Sequence, residues 1–267
     1  MSYDASAGTL RCPFCGSLKL EAQPDIQTLS AEVVVPFQLK REQAVSRMRA
    51  WLGRGFWRPG DLSTQALVIS MTPVYVPYWV FEATTQSYWT ADTSQTPAGA
   101  RGDWFPLFGQ REGSYRGLLV GASGALTAAE TAQLSPFDLA PGAPPEQVDL
   151  TNIIFEQFSV PRKYARPLAH SGLEAMEIRA CTLEVPPKAR NVKVNMLVGG
   201  LTSRPVLLPV WIMAYRYREQ VFRFLVNGQT GTATGRAPFS YRKLIAAGAM
   251  ALGVLLLILL LIYAIQK

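Results

Sequence analysis

The run LIAAGAMALGVLLLILLLIYAI, from Leu244 to Ile265, carries no charged residue. At about 1.5 Å per residue it makes a helix of roughly 33 Å, the thickness of a bilayer's hydrocarbon core and longer than the core helices of most domains. The run therefore predicts one membrane span. The opening MSYDASAGTL has neither the basic nor the apolar region of a secretory leader. Arg236, Arg242 and Lys243 precede the span and Lys267 alone follows it, so the positive-inside rule assigns the richer flank to the cytoplasm. The expectation is a tail-anchored, single-pass protein of the cell membrane with the bulk of its chain facing the cytoplasm.

Lys and Arg total 26 against 19 Asp and Glu, a formal charge of +7 that suits a surface facing anionic lipid or nucleic acid. Much of the excess falls in KREQAVSRMRAWLG, whose apolar residues Ala44, Val45, Met48, Trp51 and Leu52 have helical spacing. Lys40, Arg47 and Arg54 recur every seven positions, with Arg41, Arg49 and Arg58 close by. Lys40, Arg41, Arg47, Arg49 and Arg54 form a candidate lipid-binding set; an ordinary solvated helix face is the alternative.

Most of the remaining chain reads as strands. Val74–Asp92 is aromatic and β-branched, with Pro77 near a strand start or edge, and WFPLFGQREGSYRGLLVGAS reads as a further strand pair. Three more strands are expected in NVKVNMLV, RPVLLPVWIMAYRYR and QVFRFLVNG, with a hairpin at Asn227-Gly228-Gln229-Thr230-Gly231 in which Asn-Gly supplies positive φ. Thr127 and Glu130 form a capping box for one helix, and Ser171 and Glu174 for another over SGLEAMEIRACTLEV. SPFDLAPGAPPEQ has the composition of a linker. VYVPYWVF and VLLPVWIM share Pro-x-Trp, an echo that either two related units or the chance likeness of two apolar strands explains. The expected fold class is α+β, antiparallel sheets with a few helices plus the membrane helix. Its divisions are 1–30 (a CxxC turn, Cys12 to Cys15, and linker), 31–140 and 141–242 (two α+β units) and 243–267 (the anchor).

The usual catalytic patterns are missing. His170 is the sole histidine, and ARPLAHSGLE offers no nucleophile motif beside it. The glycines of GQTGTATG open no helix that could cradle phosphate. Glu82 and Asp138 sit in aromatic surroundings that strand ends explain equally. Trp51, Trp57, Tyr75, Tyr78 and Trp79 near Arg54 and Arg58 permit a nucleic-acid reading by stacking and phosphate contact, or supply core packing.

CPFCG at Cys12–Gly16, VVVPFQL at Val33–Leu39, VYVPYWVFE at Val74–Glu82, LLPVW at Leu207–Trp211 and FLVNGQTGTATGRAP at Phe224–Pro238 together resemble a family of bacterial membrane-associated zinc-ribbon proteins, often labelled primosomal-protein-N′-like or transcription-factor-IIB-type. The resemblance spans nearly the whole chain. It implies no assigned reaction; some relatives associate with envelope-stress partners of the phage-shock protein A and flotillin-like kinds, which implies an adaptor at the membrane. Such relatives have two CxxC knuckles, four thiolates for one zinc. Here only Cys12 and Cys15 remain, with Cys181 distant. The half knuckle is a metal-free turn, or it holds zinc shared with a second chain or a partner, or it is completed by His170 and Cys181. The resulting expectation is a non-enzymatic, membrane-anchored adaptor or scaffold that meets lipid and protein partners, with a homodimer as the route to a shared zinc. A membrane-held nucleic-acid-associated zinc-ribbon protein is the alternative.

Overall fold

The computed structural model describes residues 30–99, 101–150 and 153–265. It is α+β. In chain order the elements are β1 (Val33–Val34), α1 (Arg41–Leu52), α2 (Leu62–Gln65), β2 (Leu67–Thr93), β3 (Phe105–Gly121), α3 (Ala128–Leu134), β4 (Ile154–Phe155), α4 (Arg162–Glu184), β5 (Ala189–Tyr217), β6 (Gln220–Asn227), β7 (Ala233–Gly235) and α5 (Tyr241–Ile265). One seven-stranded sheet, ordered β3-β2-β5-β6-β7 with β1 and β4 attached, holds them together. All ladders are antiparallel except β1 on β5 and β4 on β2, which are parallel.

The spine is the antiparallel pair β2 and β5, of 27 and 29 residues. At about 3.3 Å per residue each has a contour of roughly 90 Å. The segment expected as a strand pair, residues 104–123, contains one strand, because Gly109 and Gly113 do not turn the chain: their bare Cα atoms let Trp89 and Glu177 lie against the sheet. NVKVNMLV and RPVLLPVWIM, expected as separate strands, are one; Gly199 and Gly200 form a register shift opposite Glu82 and Thr84, with Gly200 at φ +60°.

Val76 lies opposite Leu208, and the two Pro-x-Trp segments run past each other from that point. On one face Val74, Val76, Tyr78 and Val80 join Val206, Leu208, Val210 and Leu225 beneath Leu126 and Leu134. On the other, α1 lays Ala44, Met48 and Leu52 over Met71, Met213 and Tyr215, while α4 lays Ala165 and Ala169 over Trp79 and Phe81. Burial raises the Tyr78 and Tyr215 phenols to about 12.

The two helices on this face enter alike. Ala122 N donates to Pro77 O at 3.0 Å, and the Ala122 carbonyl accepts from Ser159 and Val160 at 2.9 Å each. Gly228 N donates to Pro209 O at 2.9 Å, and its carbonyl accepts from Gln38 at 3.0 Å and Leu39 at 2.8 Å. The Trp79 indole donates to Val160 O at 2.9 Å, and the Trp211 indole to Leu39 O at 3.0 Å. Phe158 meets Trp79 edge-on at 5.8 Å as Phe37 meets Trp211 at 5.3 Å.

Helix α3 starts as expected, with Thr127 N on Glu130 Oε2 at 2.8 Å and Glu130 N on Thr127 Oγ1 at 3.2 Å. Helix α4 does not start at Ser171: Pro161 is its N-cap, and Pro167 is carried inside it. The proline-rich segment is no free linker. Asn227 Nδ2 donates to the carbonyls of Leu134 (2.9 Å) and Pro136 (3.0 Å), and the Gln229 side chain pairs with the Asp138 backbone at 2.8 Å in both directions. Within that turn the positive φ belongs to Gly231, at +78°.

Candidate functional site

Three features stand out from the core. The first surrounds the entry of α5. That helix has 25 residues, and its apolar window has no side chain buried against the body. Its start is tied to the loop between α1 and α2: Ser240 N donates to Trp57 O at 2.8 Å, and Lys243 Nζ donates to Arg58 O at 2.9 Å. Arg58 is itself fixed, its guanidinium 3.5 Å over the Trp51 ring and hydrogen-bonded to the Trp51 carbonyl. Phe56 and Trp57 form an edge-to-face pair at 5.0 Å and both are exposed, as are Phe239 and Tyr241.

The basic set borders this region. Lys40, Arg41, Arg47, Arg49 and Arg54 are all exposed. The helix separates them: two positions at about 100° each turn Arg49 roughly 200° from Arg47. Arg49 therefore reaches Ser63 O at 3.1 Å, while the Arg47 side chain lies along Gly231.

The second feature is a buried carboxylate. The stripe Ala165, Ala169, Leu173, Glu177, Cys181 is the sheet-facing row of α4, and it sets Glu177, fully buried, over Thr85 and Ser87. Thr85 Oγ1 donates to Glu177 Oε1; Arg111 Nε lies 3.5 Å from Oε2 and Arg111 Nη1 3.3 Å from Glu184. Burial opposes ionisation, but the hydrogen bond from Thr85, the neighbouring Tyr115 and Ser87 hydroxyl dipoles and the Arg111 charge outweigh it and hold this carboxyl below the usual range. Burial, reinforced by Glu177, pushes the Cys181 thiol up. A glycine at 113 is required, since a Cβ there would overlap the carboxylate.

The third is an open cleft of about 1780 Å³ between β3, α4 and the segment 126–142. Leu118, Val120 and Leu139 line it with Leu168 and Met176 of α4, and Arg116, Arg179 and Arg204 rim it. Strand β3 is the sheet edge beside it.

Of the expected metal residues, Cys12 and Cys15 lie outside the described residues, as does the 1–29 segment. His170 and Cys181 cannot complete one zinc site together: His170 is exposed, Cys181 is buried, and they sit on one helix roughly 16 Å apart along its axis. Among the described residues no three His, Cys, Asp or Glu side chains converge. Tyr75, Tyr78 and Trp79 are buried, so they are core packing and not stacking platforms. The sequence reading missed Glu177, whose only trace is a carboxylate in the four-residue-spaced inward row of α4, and the clamp formed by Asn227 and Gln229.

No protein-family model matches the chain, and no solved structure matches it. It is similar to the uncharacterized protein YdjG of Bacillus subtilis (strain 168), 24% identical over 228 residues, covering 82% of this chain and 67% of that protein.

Proposed function

We propose that this protein is a membrane-anchored, non-enzymatic adaptor that holds protein partners at the bilayer, with its body in the cytoplasm. The observation carrying the proposal is α5: a 25-residue apolar helix with no face against the body, which in water would expose an apolar surface far larger than a soluble protein tolerates. Arg236, Arg242 and Lys243 at its entry favour the cytoplasmic orientation. The cleft and the edge of β3 offer an apolar floor, a basic rim and unpaired backbone groups, the features that extended acidic segments use when they add to a sheet. Anchoring raises a bound partner's effective concentration at the lipid.

The adaptor body is further read as two related units. Each runs short strand, helix, long strand, return strand, and the matched hydrogen bonds of Trp79 with Trp211 and of Ala122 with Gly228 support a shared origin. The zinc proposal keeps Cys12 and Cys15 as half of a site shared between chains, with envelope-stress proteins of the phage-shock or flotillin-like kinds as partners by resemblance.

A photo-crosslinking residue at Leu168 or Met176, in cells, tests the adaptor reading. The expected result is discrete protein adducts that disappear when residues 244–267 are deleted. Absence of adducts from both positions, with the protein in membranes, argues against this cleft as the docking site.

A further inference from the structure

We infer that the loop joining α1 to α2, led by Phe56 and Trp57, sinks into the headgroup and upper acyl layer of the bilayer, giving the body a second lipid contact beside the span. The inference rests on the membrane reading of α5 proposed above. Position is its first support. Ser240 N holds the Trp57 carbonyl at 2.8 Å and Lys243 Nζ holds the Arg58 carbonyl at 2.9 Å. Both bonds come from within one helical turn of Leu244, where the uncharged run begins. The loop is thus fixed at the level where the chain leaves hydrocarbon.

Chemistry is the second support. Phe56 is 70% exposed and Trp57 42%, and on the helix side Phe239 and Tyr241 are 72% and 75% exposed. Four outward aromatic rings around one helix entry form the belt that membrane–water boundaries favour, where an apolar ring and a polar edge are both satisfied. Arg54, Arg242 and Lys243 stand among them and complement anionic headgroups. The Lys243 ammonium, 5.8 Å from the Phe56 ring, links the two sets.

The loop is also shaped before it meets lipid. Gly55 takes φ +111°, a backbone that side chains rarely adopt, and the Arg58 guanidinium stacked on Trp51 anchors the loop to α1. The backbone of the loop is therefore ordered before insertion, which lowers the cost of docking it. A soluble protein partner is the weaker occupant, since it would have to displace the lipid surrounding α5 to reach the same rings.

The test uses full-length protein reconstituted in phosphatidylcholine–phosphatidylserine vesicles whose acyl chains carry bromine either near the carbonyl end or at the methyl end. Bromine near the carbonyl end is expected to quench part of the tryptophan emission, and Trp57→Phe is expected to abolish that part while the far-ultraviolet circular dichroism is unchanged. Equal quenching in Trp57→Phe and wild type, with protein that floats with vesicles after an alkaline wash, overturns the insertion and leaves the anchor standing. Protein released by the wash overturns the membrane reading, and the insertion with it.

Discussion

Trp79 and Trp211 stand on the same face of the sheet, and each donates its indole N–H to the carbonyl of the residue just ahead of a helix N-cap: Val160 before α4 for Trp79, Leu39 before α1 for Trp211. Each tryptophan comes from one half of the chain and secures the helix of the other. The Pro-x-Trp pattern has a physical reason in this arrangement. The proline carbonyl two residues earlier accepts from Ala122 or Gly228, and those residues in turn accept from the amides entering the helix.

Trp79→Phe and Trp211→Phe each keep an aromatic ring but lose the N–H half of the indole, leaving a carbonyl without its partner and a small void beside it. Each is expected to lower stability by about 1–2 kcal/mol. Chemical denaturation of the detergent-solubilised chain, followed by circular dichroism, measures both. A large effect from one and none from the other would contradict the equivalence of the two halves.

Glu177 ties α4 to the distal part of the sheet. Its carboxyl is held below the ordinary range, so its contribution is complete above the unfolded-state value of about 4.3 and is lost as pH falls from there through the folded value. Glu177→Gln is expected to cost about 2–4 kcal/mol at neutral pH, by leaving Arg111 without its buried partner, and to flatten the acid limb of the stability profile. Thermal unfolding between pH 3 and 7 checks both; an unchanged acid limb would mean that another carboxylate sets it.

The exposed arginines around α1, on more than one side of it, are expected to act on charged membranes. Arg47, Arg49 and Arg54 replaced together by Gln should weaken binding of the chain lacking 244–267 to anionic vesicles by about 1 kcal/mol per residue at most, and less as salt rises. Co-sedimentation at two salt concentrations reads this. Equal sedimentation at low salt would leave these arginines merely solvated. The same truncated chain should appear in the soluble fraction.

The shared-zinc proposal predicts one ion per two chains and none after Cys12→Ser with Cys15→Ser. Metal analysis beside the mass in detergent decides it. One zinc on a monomer would defeat sharing, as would a metal-free wild type. Cys181 should not confuse the result, because its thiol is fully buried on α4 beside Glu177 and does not face a second chain.

The fold was legible where local chemistry decides. Thr127 with Glu130 announces α3, and the spacing of Ala44, Met48 and Leu52 announces α1. It was illegible where distant residues decide. Residues 104–123 read as a strand pair but form one strand, with Gly109 a clearance for Trp89; Ser171 looks like a cap and lies inside a helix begun by Pro161. The segment from Ser135 has the composition of a linker, yet Asn227 and Gln229, some ninety positions on, hold it down. The basic residues were found in sequence, but which flank each occupies depends on the phase of α1 against the sheet. The lipid role of Phe56 and Trp57 depends on Ser240 and Lys243, distant in sequence, which grip their loop.

The crossed pairing of the short strands governs the order in which this chain can be completed during synthesis. β1 is seated on β5 and β4 on β2, so neither half owns the ladder it needs. Until Tyr217 has left the ribosome, β2 presents an open apolar edge with only β3 beside it, and Trp211 is not there to secure α1. Nascent chains therefore carry a long sticky ribbon that closes late, just before the greasy segment from Leu244 emerges.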